Sequence, residues 1–502
     1  MKNLLLILFG ITSISFAQPN PPTVTPTSVY INFGQSATLT ATGCNGIISW
    51  SDGQAGSTAT MSPKQTTKIS AKCTETNQTS IASNLVLIQV GLVSSPCYDD
   101  IDANMPISNV GYRYEATNRI TGTNLINSDA SVQFKAQKFI ELNPGFEAKS
   151  GSIFKAFTGK CNELQTREVL ATDLFSPWEI LWGSDDFIWV TEKAGKISRV
   201  NPSNGVKNVI LTLADVTVYG EGGLLGMVLH PDFANNPYVY IVYNYGPPPS
   251  GVKEKVVRYT YSGGVLVSPT ILFDNIAGWV NHNGSRLVIT PDLKLFITTG
   301  DAANLSTPQD NNSVNGKVLR INLDGTIPAD NPTAGSAIWS KGHRNSQGMV
   351  YANSKLYVSS HGDNTEDEIN LVVQNGNYGY PNVAGPCDTG SEITFCNANN
   401  TVQPIFSSGN VTWAFCGLDY YGNDAYPRWK NNLLMVSLKN QTLYSFKLSD
   451  DGSTIIGQPT QYYVSQFGRL RDIAISPAGK VYICTNNVNP SDKIIEITAV
   501  VD

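Results

Sequence analysis

Asp292-Leu293-Lys294-Leu295-Phe296-Ile297-Thr298 opens on a turn residue and runs into a short strand of β-branched and aromatic residues. The same phrase returns as Asp185-Asp186-Phe187-Ile188-Trp189-Val190-Thr191, Asn236-Pro237-Tyr238-Val239-Tyr240-Ile241, Asn353-Ser354-Lys355-Leu356-Tyr357-Val358-Ser359, Asn431-Asn432-Leu433-Leu434-Met435-Val436-Ser437 and Gly479-Lys480-Val481-Tyr482-Ile483-Cys484. Residues of these types suit a pleated, buried surface. Six copies imply six repeats, and spacings of about 50 to 75 residues exceed one hairpin but suit four-stranded blades with loop insertions. No long amphipathic helix interrupts them. The expected fold is all-β, with a six-bladed β-propeller over residues 166–502. In that architecture loops of several blades meet at one mouth of a central channel, so residues far apart in sequence converge.

The chain has 502 residues and a net charge of −6. Its length points to two or three domains. The acidic balance gives no global attraction to nucleic acid or to an anionic membrane, so an anionic ligand needs a local basic cluster. Met1-Lys2-Asn3, then apolar residues to Phe16 and Ala17-Gln18, read as a secretory signal over residues 1–17. Export, to the periplasm or outside the cell, makes the eight cysteines readable as disulfides. Local pairing joins Cys44 to Cys73, Cys97 to Cys161 and Cys387 to Cys396. A Cys416–Cys484 bridge is expected on less, since connectivity is not deducible from sequence.

Between the signal and the repeats lie two β-rich segments. Residues 19–92 alternate apolar with Thr and Ser, as in Ala37-Thr38-Leu39-Thr40-Ala41, and read as a small sandwich. Two cysteines and Trp50 resemble an immunoglobulin-like core, although the cysteine spacing is short for one. Residues 97–161 form a second module that resembles the β-stack spacers of exported Bacteroidetes proteins. Neither carries a catalytic constellation.

All four histidines fall between positions 230 and 361. His282, in Asn281-His282-Asn283-Gly284, precedes a strand, and Asp301 closes the next strand on the same face. A carboxylate on one imidazole nitrogen makes the other a better base. A loop histidine tied into turn hydrogen bonds is the equal alternative, and it is the favoured reading for His230 and His343. Gly342-His343-Arg344-Asn345 suits close approach of a planar, oxygen-rich ligand, and Lys439, Arg469 and Arg471 together suit a multi-carboxylate one. Singly, each cation reads as a solvated surface charge. His361-Gly362-Asp363-Asn364-Thr365-Glu366-Asp367-Glu368 offers hard oxygens for Ca²⁺ without EF-hand spacing, or else a solvated acidic turn.

In this order the phrases resemble the soluble PQQ-dependent sugar dehydrogenases, the glucose, aldose and sorbosone dehydrogenase-like quinoproteins. The matching residues include Pro177-Trp178, Glu221-Gly222-Gly223-Leu224-Leu225-Gly226, His230-Pro231-Asp232-Phe233, residues 282–288, Gly316-Lys317-Val318-Leu319-Arg320, residues 342–348, Asp367-Glu368-Ile369-Asn370-Leu371 and Asn377-Tyr378-Gly379-Tyr380-Pro381. The resemblance implies aldose oxidation at C1 to a lactone by hydride transfer to PQQ, with electrons leaving to a soluble or membrane acceptor, a cytochrome or a quinone. It makes His282 the base, Asp301 its orienter and Arg344 a catalytic neighbour of the quinone. Asn345, Lys439, Arg469 and Arg471 join Arg344 as cofactor ligands. Carbonyls of Gly362 and Asp363 would bind an active-site Ca²⁺, and Asp367, Glu368 and Tyr378 a second. Asp363 stands where the family has proline. Glu221 replaces a sugar-touching glutamine and Asn281 an aspartate beside the base, and the loops of a dedicated glucose pocket are short or different here, so the resemblance implies broad aldose specificity. The competing readings are a non-catalytic carbohydrate-binding propeller and a propeller lyase or hydrolase.

Overall fold

The computed structural model describes residues 18–499 except 33, 34, 65, 66, 92, 109, 110, 129, 160–163, 171, 172, 427 and 488–491. The expected signal and the Cys97–Cys161 bridge lie outside the described residues. Leu164–Ala499 is one compact unit and the residues before it belong to another.

Among the described residues the larger unit contains six four-stranded antiparallel sheets. Their first strands are Pro177–Trp182, Leu224–Leu229, Gly284–Ile289, Asn345–Ala352, Phe415–Tyr421 and Leu470–Ile475. Each touches the first strand of the next sheet, and Leu470–Ile475 returns to Pro177–Trp182, closing a ring. The recurring phrases form the second strands: Ile188–Glu192, Tyr238–Tyr245, Lys294–Thr299, Lys355–His361, Asn432–Ser437 and Val481–Thr485. All five residues of Ile188–Glu192 and all six of Asn432–Ser437 are buried. A sheet packed on both faces requires that continuity in place of alternation.

The sixth sheet is completed by the unit's own beginning, since Leu164–Leu170 pairs antiparallel with Ile494–Ala499. The unit therefore starts two residues before the boundary expected at 166. Among the described residues the helix Gly390–Asn399 is an insertion, held by a capping box between Thr389 and Glu392 and by the Cys387–Cys396 disulfide.

The expected Cys416–Cys484 bridge is absent. Both thiols are free and buried, one on a first strand and one on the neighbouring sheet's second strand. Cys416 Sγ lies 3.1 Å from Leu470 O and 3.3 Å from Val436 O, either of which can accept its one proton. Each behaves as a small core hydrophobe, and burial pushes the Cys416 thiol up to about 11.

In the smaller unit, Leu39, Trp50 and Ile88 centre a core shared by three small sheets. The Cys44–Cys73 disulfide forms as expected. Gly111–Gly122, Ser131–Ala136 and Ile153–Thr158 then stack in parallel, with Phe134 edge-on to both Tyr114 and Phe154.

Candidate active site

His282 ends the loop entering the first strand Gly284–Ile289, and Asp301 follows the adjacent second strand Lys294–Thr299. Their backbones meet closely. A Cβ on Gly300 would lie 1.8 Å from His282 O, so only glycine lets the strand end pass beneath the loop. Gly300 N donates to Asn283 O at 3.2 Å and Ala302 N to His282 O at 3.1 Å. His282 itself sits at φ 58°, a left-handed conformation stabilised by these bonds.

The result is a His282 Nδ1 to Asp301 Oδ1 contact of 2.8 Å, with the Asp301 side chain wholly buried and that of His282 13% exposed. Asp301 Oδ1 also accepts from Ala303 N at 2.8 Å. A buried carboxylate accepting at Nδ1 keeps the proton of neutral imidazole there and leaves Nε2 as the base.

Glu221 adjoins this pair, its Oε2 accepting from His282 N at 3.1 Å. Around Glu221 stand four basic groups. The charge of Glu221 acts on Lys193, His361 and Arg469, and Arg471 acts on the same three. Burial drives His361 down to about 4, with Arg471 and Arg344 adding to it, so its imidazole is neutral at physiological pH. Arg344 NH1 donates to Gly362 O at 2.7 Å and His361 O at 3.3 Å, and NH2 to Asp363 Oδ1 at 3.0 Å. Arg471 NH1 donates to Gln347 Oε1 at 2.7 Å.

Arg344 Nε, Arg471 Nε, His361 Nε2, Asn281 Oδ1 and Asp301 Oδ2 are buried without hydrogen-bond partners. An unsatisfied buried polar atom costs about 1–3 kcal/mol, a cost that a polar ligand bonded to these groups would offset. Two expected ligands sit differently. Asn345 is buried and its Oδ1 accepts from Gly284 N at 3.1 Å, bracing the His282 loop. Lys439 is exposed, its backbone N–H donating to Trp413 O at 3.1 Å. Lys193 and His361 were not anticipated as site residues.

The acidic loop lies beside Arg344, which shares a small cleft with His361, Gly362, Asp363, Glu368 and Tyr380. The side chains expected to hold a second calcium are engaged in hydrogen bonds. Asp367 accepts from Gly362 N at 2.8 Å, Thr412 Oγ1 at 2.9 Å, Trp413 N at 2.5 Å and Ala414 N at 2.7 Å. It is an anchor for the loop. The Tyr378 hydroxyl donates to Leu371 O at 2.7 Å and accepts from Val373 N at 2.9 Å. Glu368 is less committed, each oxygen accepting one bond at 2.8 Å, from Gly385 N and Asn370 Nδ2. Burial, with Glu366 and Asp367 nearby, pushes its carboxyl up to about 7.

The other histidines are structural, as the sequence favoured. His343 is buried, stacks on Tyr378 at 4.5 Å and lies 2.9 Å from Ser340 Oγ. His230 Nδ1 accepts from Asp232 N at 3.1 Å. A cavity of about 570 Å³ opens at the opposite ends of the first strands, lined by Trp182, Pro231, Thr290 and Tyr351. Its floor is Arg286, paired with Glu179 and with Asp472, the latter at 3.0 Å. It holds none of the residues described above.

Residues 174–495 match the family described as Glucose / Sorbosone dehydrogenase. Quinoprotein glucose dehydrogenase B of Acinetobacter calcoaceticus is 34% identical over 415 residues, covering 65% of this chain and 86% of that protein. Aldose sugar dehydrogenase YliI of Escherichia coli K12 is 30% identical over 336 residues, covering 64% and 89%. The PQQ-bound form of the aldose sugar dehydrogenase from Streptomyces coelicolor superposes with a TM-score of 0.58 at 28% identity, over 68% of this chain and 99% of that one.

Proposed function

The chain belongs to the glucose / sorbosone dehydrogenase family, and from that premise we propose that it is an exported quinoprotein oxidising aldose sugars at C1 to lactones, with electrons leaving to an external acceptor. As a PQQ-dependent sugar dehydrogenase it is an oxidoreductase, like its named relatives. The six sheets are read as six propeller blades, and the two N-terminal segments as an immunoglobulin-like domain and a β-stack spacer.

The residues present suit PQQ. A ligand bearing several carboxylates and quinone oxygens is what Arg344, Arg469, Arg471 and Lys193 can hold, and Arg344 and Arg471 each keep a buried Nε donor without a partner. When bound, PQQ supplies the acceptor for the hydride leaving sugar C1. His282 Nε2 takes the proton from the anomeric hydroxyl. Asp301 stabilises the imidazolium that results, and Glu221 and Asn281 border the sugar. For calcium we assign the Gly362 and Asp363 carbonyls, hard oxygens of the kind the ion takes; Gly362 O accepts from Arg344 NH1 at 2.7 Å, so the guanidinium would yield that bond to the ion. Glu368 is the better-disposed side chain for a second ion.

The observation that carries this reading is the His282–Asp301 pair set, through Glu221, against a cluster of cations. Sugar binding alone has no use for that cluster. The test is to add PQQ and Ca²⁺ to the apoprotein and follow dye reduction with a panel of aldoses. Turnover with several aldoses, abolished when PQQ is omitted, is expected. Sugar binding without dye reduction would favour a non-catalytic propeller instead.

A further inference from the structure

Behind the His282 loop lies a buried polar network centred on Glu254, in the strand Lys253–Ser262. Glu254 is 1% exposed. Its Oε2 accepts from Ser285 Oγ at 2.8 Å, and the Asn244 side chain is the carboxyl's other polar neighbour. The same hydroxyl also lies 3.1 Å from Asn283 O. A serine hydroxyl has one proton, so the two acceptors compete. If Glu254 is ionised, that proton goes to the carboxylate. If Glu254 is neutral, its own O–H donates to Ser285 Oγ, and the serine proton is free for Asn283 O.

Asn283 O is the carbonyl that accepts from Gly300 N, joining the His282 loop to the turn that carries Asp301. The Asn283 amide extends the brace. Its Oδ1 accepts from Asn244 Nδ2 at 3.1 Å, and Asn244 Oδ1 accepts from Gly223 N at 3.0 Å, beside Glu221. One buried network therefore holds both sides of the proposed sugar site.

Among the described residues no charged side chain acts on Glu254 to favour its ionised form. The strand Tyr238–Tyr245 has no charged residue, Val265–Ala277 has only Asp274, bonded to the Tyr245 hydroxyl, and Gly284–Ile289 has only Arg286, held by Glu179 and Asp472. On its own strand, Lys253 and Lys255 bind Asn275 and Asp215, and Arg258 lies over the Tyr238 ring and donates to Leu323 O at 3.4 Å. Burial, offset only by Ser285 and Asn244, pushes the Glu254 carboxyl up to about 8.

We propose that Glu254 is a positioning residue for the base: as a neutral carboxyl it turns the Ser285 hydroxyl onto Asn283 O and holds His282 against Asp301, and its ionisation releases that hold. The inference rests on His282 being the base.

The test compares kcat against pH for the PQQ- and Ca²⁺-loaded parent, Glu254→Gln and Ser285→Ala, with the melting temperature of each apoprotein over the same range. The glutamine amide donates to Ser285 at every pH. Between pH 8 and 9 the neutral fraction of a group titrating at about 8 falls about fivefold, so the parent should lose about fivefold in kcat that Glu254→Gln does not lose. Ser285→Ala, lacking the relay, should also lack this alkaline limb. A carboxyl raised on folding adds stability that is present below its unfolded pKa and lost as pH rises through about 8. The parent's melting temperature should fall over that range more than that of Glu254→Gln. Superimposable alkaline limbs in all three proteins overturn the proposal. Near-normal turnover in His282→Ala would instead overturn the assignment of the base, and the melting curves would still report whether Glu254 is held neutral.

Discussion

Replacing Asp301 with asparagine separates geometry from charge at the proposed base. The asparagine carbonyl can accept from His282 Nδ1 and from Ala303 N, as Asp301 Oδ1 does at 2.8 Å in both bonds. Orientation survives, and the negative charge that stabilises the imidazolium is lost. A hydrogen bond to a charged group contributes about 1.5–3 kcal/mol and a neutral one about 0.5–1.5 kcal/mol. The difference, roughly 1–2 kcal/mol, corresponds to a kcat lowered about 5- to 30-fold. His282→Ala removes the base itself and should cost about 10²- to 10⁴-fold. The assay is steady-state dye reduction by PQQ- and Ca²⁺-loaded enzyme at saturating aldose, with cofactor titration confirming full loading. Asp301→Asn as damaging as His282→Ala would mean the pair does not divide the work this way. Asp301→Asn at parental rate would mean the contact is only structural.

Replacing both Arg469 and Arg471 with alanine should weaken PQQ affinity at least tenfold, since a charge-assisted contact contributes about 1.5–3 kcal/mol. Sugar KM should change less, and superimposable cofactor titrations of variant and parent would displace the clamp. Arg286→Met should lower unfolding free energy in urea by about 3–5 kcal/mol, because Glu179 and Asp472 are left as buried charges without their cation. Adding Glu179→Gln and Asp472→Asn should recover most of the loss. His343 is held down to about 3, with burial the main cause and the Lys317 charge adding to it. Its depressed pKa contributes stability present above about 6.5 and lost as pH falls toward 3, so His343→Gln should flatten the acid side of the melting-temperature profile.

The fold was legible because its second strands are buried on both faces, which writes them as continuous apolar runs. Leu164–Leu170 was not, since it lies at an edge with Gln165, Thr166, Arg167 and Glu168 all at least partly exposed. Phe406–Ser407 is too short to carry a pattern. The missing disulfide has a similar cause: sequence shows Cys416 and Cys484 as apolar-flanked cysteines but not that their strands belong to different sheets.

Within the site, His282 and Asp301 were readable because a single hairpin, Gly284–Ile289 with Lys294–Thr299, separates them, whereas Lys193 and His361 look unrelated until the six second strands are aligned. Two residues past Thr191, Val242, Thr298, Ser359, Val436 and Cys484, which the strand pairings make equivalent, stand Lys193, Asn244, Gly300, His361, Leu438 and Asn486. Equivalent positions in equivalent strands reach the same level of the ring, since every second strand leaves its sheet on the same face. That register places Leu438, and not Lys439, level with Lys193 and His361, in keeping with the exposure of Lys439. Asn244 occupies the same level and ties the Glu221 and His282 loops together. Asn486 does similar work in the last sheet, donating to Pro177 O at 3.2 Å. Gly300 alone carries no side chain, because the space its Cβ would need is filled by the carbonyl of His282.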